Sequence, residues 1–149
     1  MHAPESLCLH ASCVALGGRG LLIAGASGSG KSALALELMA YGAALVADDR
    51  VLLEARDGQL AARAPSATKG LIEARGVGLL RAAACGPVPV AALVDLDDVE
   101  DARLPVQQTT LILGVRLIRL RRAEGAHFAP ALLQYLKCGA LDPDAGPDA

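Results

Sequence analysis

Leu21-Leu22-Ile23-Ala24-Gly25-Ala26-Ser27-Gly28-Ser29-Gly30-Lys31-Ser32 is the stretch on which the reading of this chain turns. Four apolar residues of strand type run into Gly25–Ser32, which matches the pattern G-x-x-x-x-G-K-[ST], and helix-forming residues follow at once. Glycines 25, 28 and 30 let the backbone curl so that successive N–H groups point inward. The N-terminus of the following helix adds positive potential where polyphosphate oxygens would lie. Lys31 supplies a charge for the β- and γ-phosphates, and the Ser32 hydroxyl suits Mg²⁺. Gly25, Ala26, Ser27, Gly28, Ser29, Gly30, Lys31 and Ser32 are therefore the candidate nucleotide-binding residues. The loop by itself does not choose between ATP and GTP.

Working outward, Leu7 to Leu16 reads as one strand, and Gly17-Gly18-Arg19-Gly20 turns it back into Leu21–Ala24 as a hairpin. From Lys31 to Tyr41, Leu34, Leu38 and Tyr41 recur at helical spacing, and Gly42 stands where a left-handed cap would sit. Ala43–Ala47 is a short apolar run ending in Asp48-Asp49. Arg50–Ala55, Asp57-Gly58 and Gln59–Arg63 read as a second hairpin. Pro65–Gly70 is a loop, and Leu71–Leu80 is broken by Gly76 and Gly78. Val88–Asp95 and Leu111–Leu120 each read as a strand, and Ala129–Lys137 as a short helix with Leu132, Leu133 and Leu136 on one face. Residues 1–140 form one expected domain. Residues 141–149, acidic and Pro-rich, form an expected disordered tail.

The chain has 149 residues, enough for one core of ordinary size. Its 14 basic and 16 acidic side chains leave a net charge of −2, which offers no basic excess for nucleic acid or an anionic membrane. Hydrophobic residues at 53% exclude a disordered chain, and aromatics at 2% leave no stacking platform for single-stranded nucleic acid. No apolar run is long enough to span a bilayer. Met1–Leu9 contains no Lys or Arg and no secretory pattern, so a cytoplasmic location with reduced cysteines is expected. Cys8, Cys13, Cys85 and Cys138 form no CxxC pair. Strand alternation puts Cys8 with His10 but Cys13 on the opposite face, which argues against a zinc site there.

Lys31 and Asp49 are eighteen positions apart, room for the helix, its cap and a short strand returning beside the loop. Asp48 and Asp49 are thus expected near the phosphates. Neighbours in a strand point to opposite faces, so one of the two would face the γ-phosphate and serve a reacting alcohol. Phosphoryl transfer leans on orientation and charge neutralisation, so position matters more than basicity. Glu73 and Arg75 lie two apart in Ile72-Glu73-Ala74-Arg75-Gly76, and read on their own they make an exposed ion pair. Arg116, Arg119, Arg121 and Arg122 read as a solvated edge.

Taken together, Leu9-His10-Ala11-Ser12-Cys13-Val14-Ala15-Leu16, the glycine-rich loop, Leu45-Val46-Ala47-Asp48-Asp49-Arg50-Val51 and Leu71-Ile72-Glu73-Ala74-Arg75-Gly76-Val77-Gly78 resemble, in order and spacing, the catalytic domain of the HPr kinase/phosphorylase family. The resemblance implies an α/β fold: a P-loop kinase domain with a mixed β-sheet, related to phosphoenolpyruvate carboxykinase. It implies an ATP- and Mg²⁺-dependent protein-serine kinase acting on HPr or a related phosphocarrier of the sugar phosphotransferase system. By position it assigns His10, Lys31, Asp49 and Arg75 to catalysis, with Asp49 taking the serine proton, and Ser32 and Glu73 to magnesium. Asp48, adjacent to Asp49, joins the candidate metal residues. A homo-oligomer is compatible with it. Ala11 stands where glycine often follows the histidine, and Ala33 where an acidic residue is frequent. The Pro- and Arg-rich segment tied to the reverse dephosphorylation is not found, and the chain is expected to be a compact form without the separate N-terminal domain.

Two other readings stay open on the residues alone. One is a small-molecule kinase of the shikimate or gluconate type, which would need further long helices and an arginine-bearing lid. The other is a nucleotide-binding sensor that transfers nothing.

Overall fold

The computed structural model describes residues 5–144. Residues 145–149 of the expected tail lie outside the described residues. Eleven strands and two helices follow in the order β1 (Glu5–Leu9), β2 (Ser12–Leu16), β3 (Arg19–Ala24), α1 (Lys31–Ala40), β4 (Ala44–Ala47), β5 (Val51–Arg56), β6 (Gln59–Arg63), β7 (Leu71–Ala74), β8 (Gly78–Arg81), β9 (Val88–Glu100), β10 (Gln108–Ile112), β11 (Val115–Ala123) and α2 (Phe128–Cys138).

The central sheet runs β4-β2-β3-β9-β11-β10. β3 pairs in parallel with β9, and β9 with β11, while β2 is antiparallel to both β3 and β4. The sheet is therefore mixed. An outer sheet, β1-β5-β6, is antiparallel throughout and joins the central one where β6 pairs with the first residues of β9. Side-chain alternation then makes two cores. Val14, Leu21, Ile23, Leu45 and Val94 pack towards α1 and α2. Cys13, Leu22, Val46 and Leu93 pack towards Val51, Leu53 and Leu60 of the outer sheet. Covered on both faces, β2, β3 and β4 are apolar at nearly every position, which explains the unbroken runs in the sequence.

Two stretches read as single strands are each two strands, and the glycine-broken stretch resolves into a hairpin. Leu7–Leu16 is two strands, because β1 pairs with β5 in the outer sheet whereas β2 pairs with β3 and β4 in the central one. The crossing falls at His10 and Ala11. Leu111–Leu120 is a hairpin turning at Leu113 (φ 50°) and Gly114 (φ 77°). A two-residue turn with both φ positive ordinarily carries Asn or Asp before the glycine, and the leucine concealed it. Leu71–Leu80 is the hairpin β7–β8, a small sheet of its own.

The expected solvated arginine edge is corrected for Arg119, Arg121 and Arg122. β11 lies between β9 and β10, and Arg119 has a strand on each side; Arg121 and Arg122 pair with β9 alone, and Arg116, which is exposed as expected, pairs with β10 alone. Arg119 donates to Asp95 at 2.9 Å and to Asp98 at 2.8 Å, and Arg121 donates to Glu100 at 3.1 Å. The Arg119 hydrogen bond, foremost, holds the Asp98 carboxyl below its ordinary range, and Arg119 is in turn raised by Asp98 and Asp95. Among the described residues no helix is long and apolar enough to cross a membrane.

Candidate active site

The loop between β3 and α1 is tied down from within. Gly25 (φ 151°), Gly28 (φ 84°) and Gly30 (φ 101°) take left-handed backbone, and a Cβ on Gly25 would lie 2.5 Å from the Ser29 hydroxyl. Only glycine fits there. The Ser29 N–H donates to the Ala26 carbonyl at 3.0 Å. Lys31, 8% exposed, folds back over the loop and donates to the carbonyls of Gly25 at 2.9 Å and Ala26 at 3.0 Å. Its ammonium is thereby fixed above the same loop whose amides stand at the start of α1. This end of a helix carries orphan N–H groups and a positive partial charge, a ready anion site.

Asp48 is 5% exposed and lies just past the end of β4. Its Oδ1 accepts the hydroxyls of Ser12 and Ser32, each at 2.7 Å, and its Oδ2 accepts the Glu73 N–H at 3.1 Å. One buried carboxylate thus joins β2, the first turn of α1 and β7. Asp49 goes elsewhere, because at φ 69° it breaks the strand alternation as the chain leaves the central sheet for the outer one. There its Oδ1 meets His10 Nε2 at 2.9 Å, and Arg50 lies 3.9 Å from Oδ2. His10 sits where β1 gives way to β2, and Asp49 where β4 gives way to β5. Both crossings between the two sheets fall at one corner, and this brings together residues 39 positions apart.

The expected site residues fall into three groups. The loop residues 25–32 with Asp48 form one connected set, and His10 with Asp49 form a second beside it. Glu73 enters through its backbone only, its side chain being exposed. Arg75 is exposed in the turn between β7 and β8, and no hydrogen bond or ion pair joins it to Glu73 or to any other described residue. The ion-pair reading of those two is therefore not what the structure holds. Three contributors escaped the sequence reading. Ser12 is fully buried against Asp48. Asp97 accepts the Ala26 N–H at 2.8 Å, and Arg122 donates to the Ser29 carbonyl. Asp97 and Arg122 come from the ends of β9 and β11, so only the parallel pairing of β3, β9 and β11 could have announced them.

Hard oxygen donors suit Mg²⁺, which usually takes one or two protein groups and fills its sphere with water and substrate phosphate. The Ser32 hydroxyl and Asp48, 2.7 Å apart, fit that pattern, and the Glu73 backbone N–H is bonded to the same carboxylate. Among the described residues there is no cluster of three or more His, Cys, Asp or Glu side chains of the kind that holds a metal by protein ligands alone.

Fold and site together define a mixed-sheet α/β protein in which a glycine-rich loop leads from a central strand into a helix, with two carboxylates beside it. Known proteins narrow this class. The description "HPr Serine kinase C-terminal domain" matches residues 2–86, more than half of the chain. The chain is 49% identical over 78 residues to the HPr kinase/phosphorylase of Clostridium beijerinckii, covering 52% of this chain and 26% of that protein. It is 51% identical over 73 residues to the enzyme of the same name from Limosilactobacillus reuteri, covering 48% and 23%. The chain spans about a quarter of the length of the curated relatives it matches. Among solved structures, the Hpr(Ser) kinase/phosphatase from Coxiella burnetii aligns with a TM-score of 0.73 at 26% identity, covering 88% of this chain and 93% of that one. The chain belongs to the HPr serine kinase C-terminal domain family.

Proposed function

We propose that this chain is an ATP- and Mg²⁺-dependent protein-serine kinase whose acceptor is a serine of HPr or of a related phosphocarrier. The observation that carries the reading is the pair of adjacent carboxylates in two separate settings, Asp48 bonded to Ser32 and Asp49 to His10. The loop amides and Lys31 bind the triphosphate and neutralise its charge. When bound at Ser32 and Asp48, magnesium adds further neutralisation of the β- and γ-phosphates. Asp49 accepts the proton of the acceptor serine as that oxygen bonds to the γ-phosphorus. The bond from the γ-phosphorus to the bridging oxygen breaks, and ADP leaves with its electrons. His10 holds the Asp49 carboxylate in place, a positioning role. Glu73 and Arg75 lie on the β7–β8 hairpin next to this corner, and Glu73 is the further candidate for the metal.

A small-molecule kinase is disfavoured by β5 and β6, which occupy residues 51–63 as an antiparallel hairpin rather than an arginine-bearing lid. The test is mass spectrometry of HPr from the same source after incubation with the protein, ATP and Mg²⁺. One added phosphate on a serine is expected. Labelling of a sugar or of shikimate instead, with HPr unmodified, would overturn the proposal.

A further inference from the structure

A hollow of about 320 Å³ opens against the glycine-rich loop on its β9 side, away from the β2 and β4 strands that lead to Asp48 and Asp49. Ala33, Leu34 and Glu37 of α1 form one wall. Arg122 at the end of β11 and Glu124 just beyond it form the other with Phe128 at the start of α2. We propose that this hollow receives the nucleoside of the nucleoside triphosphate. This inference rests on reading the loop as the phosphate site.

Direction is the first argument. With Asp49 and Ser32 on the β2 and β4 side, the transferring end of a triphosphate faces that way. Its other end must therefore leave past Gly30 and Ala33, where the hollow begins. Composition is the second. Leu34 and Phe128 are partly buried apolar groups for a flat base, and Glu37 and Glu124 are acceptors for hydroxyl or amino protons. A mostly apolar cleft with a few placed polar groups, within the usual range of roughly 300–1,000 Å³, is what small ligands occupy. Unsatisfied polarity is the third. Ser29 Oγ and Arg122 Nε are buried without a hydrogen-bond partner among the described residues, and both residues line the hollow. Buried polar atoms are rarely left so without a reason. Arg122 also donates to the Ser29 carbonyl, which ties the wall of the hollow to the phosphate loop.

Most of the second wall lies beyond residue 86, where the family match ends. Base preference would therefore be set by residues particular to this half of the chain.

Binding of ATP and of inorganic tripolyphosphate, both with Mg²⁺, separates the two readings by calorimetry. Tripolyphosphate probes the loop alone, whereas ATP probes loop and hollow together. Removing an aromatic that stacks on a base weakens binding about tenfold, so Phe128→Ala should raise the Kd for ATP by that factor while moving that for tripolyphosphate less than about twofold. Lys31→Ala should weaken both ligands. Phe128 packs against the helical core, so Phe128→Leu and the exposed Glu124→Ala serve as milder variants, and each should weaken ATP selectively. As a readout without substitution, 8-azido-ATP should crosslink within residues 122–128 or 33–37. ATP binding no more tightly than tripolyphosphate, or a crosslink elsewhere, would overturn the hollow and leave the loop reading standing. Failure of both ligands to bind the unaltered protein would overturn the loop reading and this inference with it.

Discussion

Replacing Asp48 by alanine tests how the site and the fold are joined. The carboxylate is 5% exposed and accepts three hydrogen bonds, from Ser12 and Ser32 at 2.7 Å and from the Glu73 N–H at 3.1 Å. Hydrogen bonds to a charged group each contribute about 1.5–3 kcal/mol, and a buried donor left alone costs about 1–3 kcal/mol. Ser12 is fully buried and has no route to water, whereas Ser32 is only partly buried and can be resolvated. Counting Ser12 and the Glu73 amide in full and leaving out Ser32, which water can resolvate, Asp48→Ala should destabilise by about 3–6 kcal/mol. For a chain of this size that is a fall of roughly 6–24 °C in melting temperature. Urea denaturation of Asp48→Ala, Ser12→Ala and the double variant measures it. Because the two residues share a bond, the double variant should lose at least about 0.5 kcal/mol less than the sum of the singles. A loss under about 1 kcal/mol for Asp48→Ala, or strict additivity with Ser12→Ala, would refute the claim that this carboxylate ties β2, α1 and β7 together.

Two further outcomes follow from the titrating groups. The Arg119 hydrogen bond lowers the Asp98 carboxyl, so in acid the unfolded chain binds a proton there before the folded one does. That contribution is complete above about pH 4 and is lost as the pH falls below it. Asp98→Asn should accordingly flatten the acid limb of stability against pH, and an unchanged limb in urea titrations would count against the network. Burial, with a smaller push from Cys85, drives the Cys13 thiol far above its ordinary range, so it stays protonated while the thiol of the unfolded chain ionises above about pH 8.5. Stability should decline as the pH rises through that region. Iodoacetamide near neutral pH should label the exposed Cys8 and Cys138 and reach Cys13 only in denaturant; equal labelling of Cys13 in the native protein would contradict its placement.

The parts of the fold that were legible are those in which local chemistry and the final structure agree. Gly25–Ser32 follows a strand and opens a helix as its residue types require, and Asp57-Gly58 turns the second hairpin with both residues at positive φ. What stayed hidden depends on which strands meet. Nothing local marks the crossing at His10, because Leu7–Leu16 alternates plausibly as one strand until β1 is paired with β5. Leu113 takes a conformation that a leucine rarely takes, so the β10–β11 turn carried no signal. The Asp97 and Arg122 contacts to the loop bridge 71 and 93 positions and come from parallel pairing, which no short window contains. At the candidate site, the spacing of Asp48 and Asp49 put the pair just past β4, and Asp48 meets Ser32 of the loop. Strand alternation implies their divergence, but not the left-handed backbone of Asp49 that produces it or the contact with His10.

The most direct measurement of the central claim is single-turnover phosphoryl transfer from ATP to HPr by the unaltered chain and by Asp49→Asn, with ATP binding measured in parallel. A positioned base contributes about 10²- to 10⁴-fold, so Asp49→Asn should lose transfer by that factor while ATP affinity stays the same. Transfer at the full rate by Asp49→Asn would contradict the account.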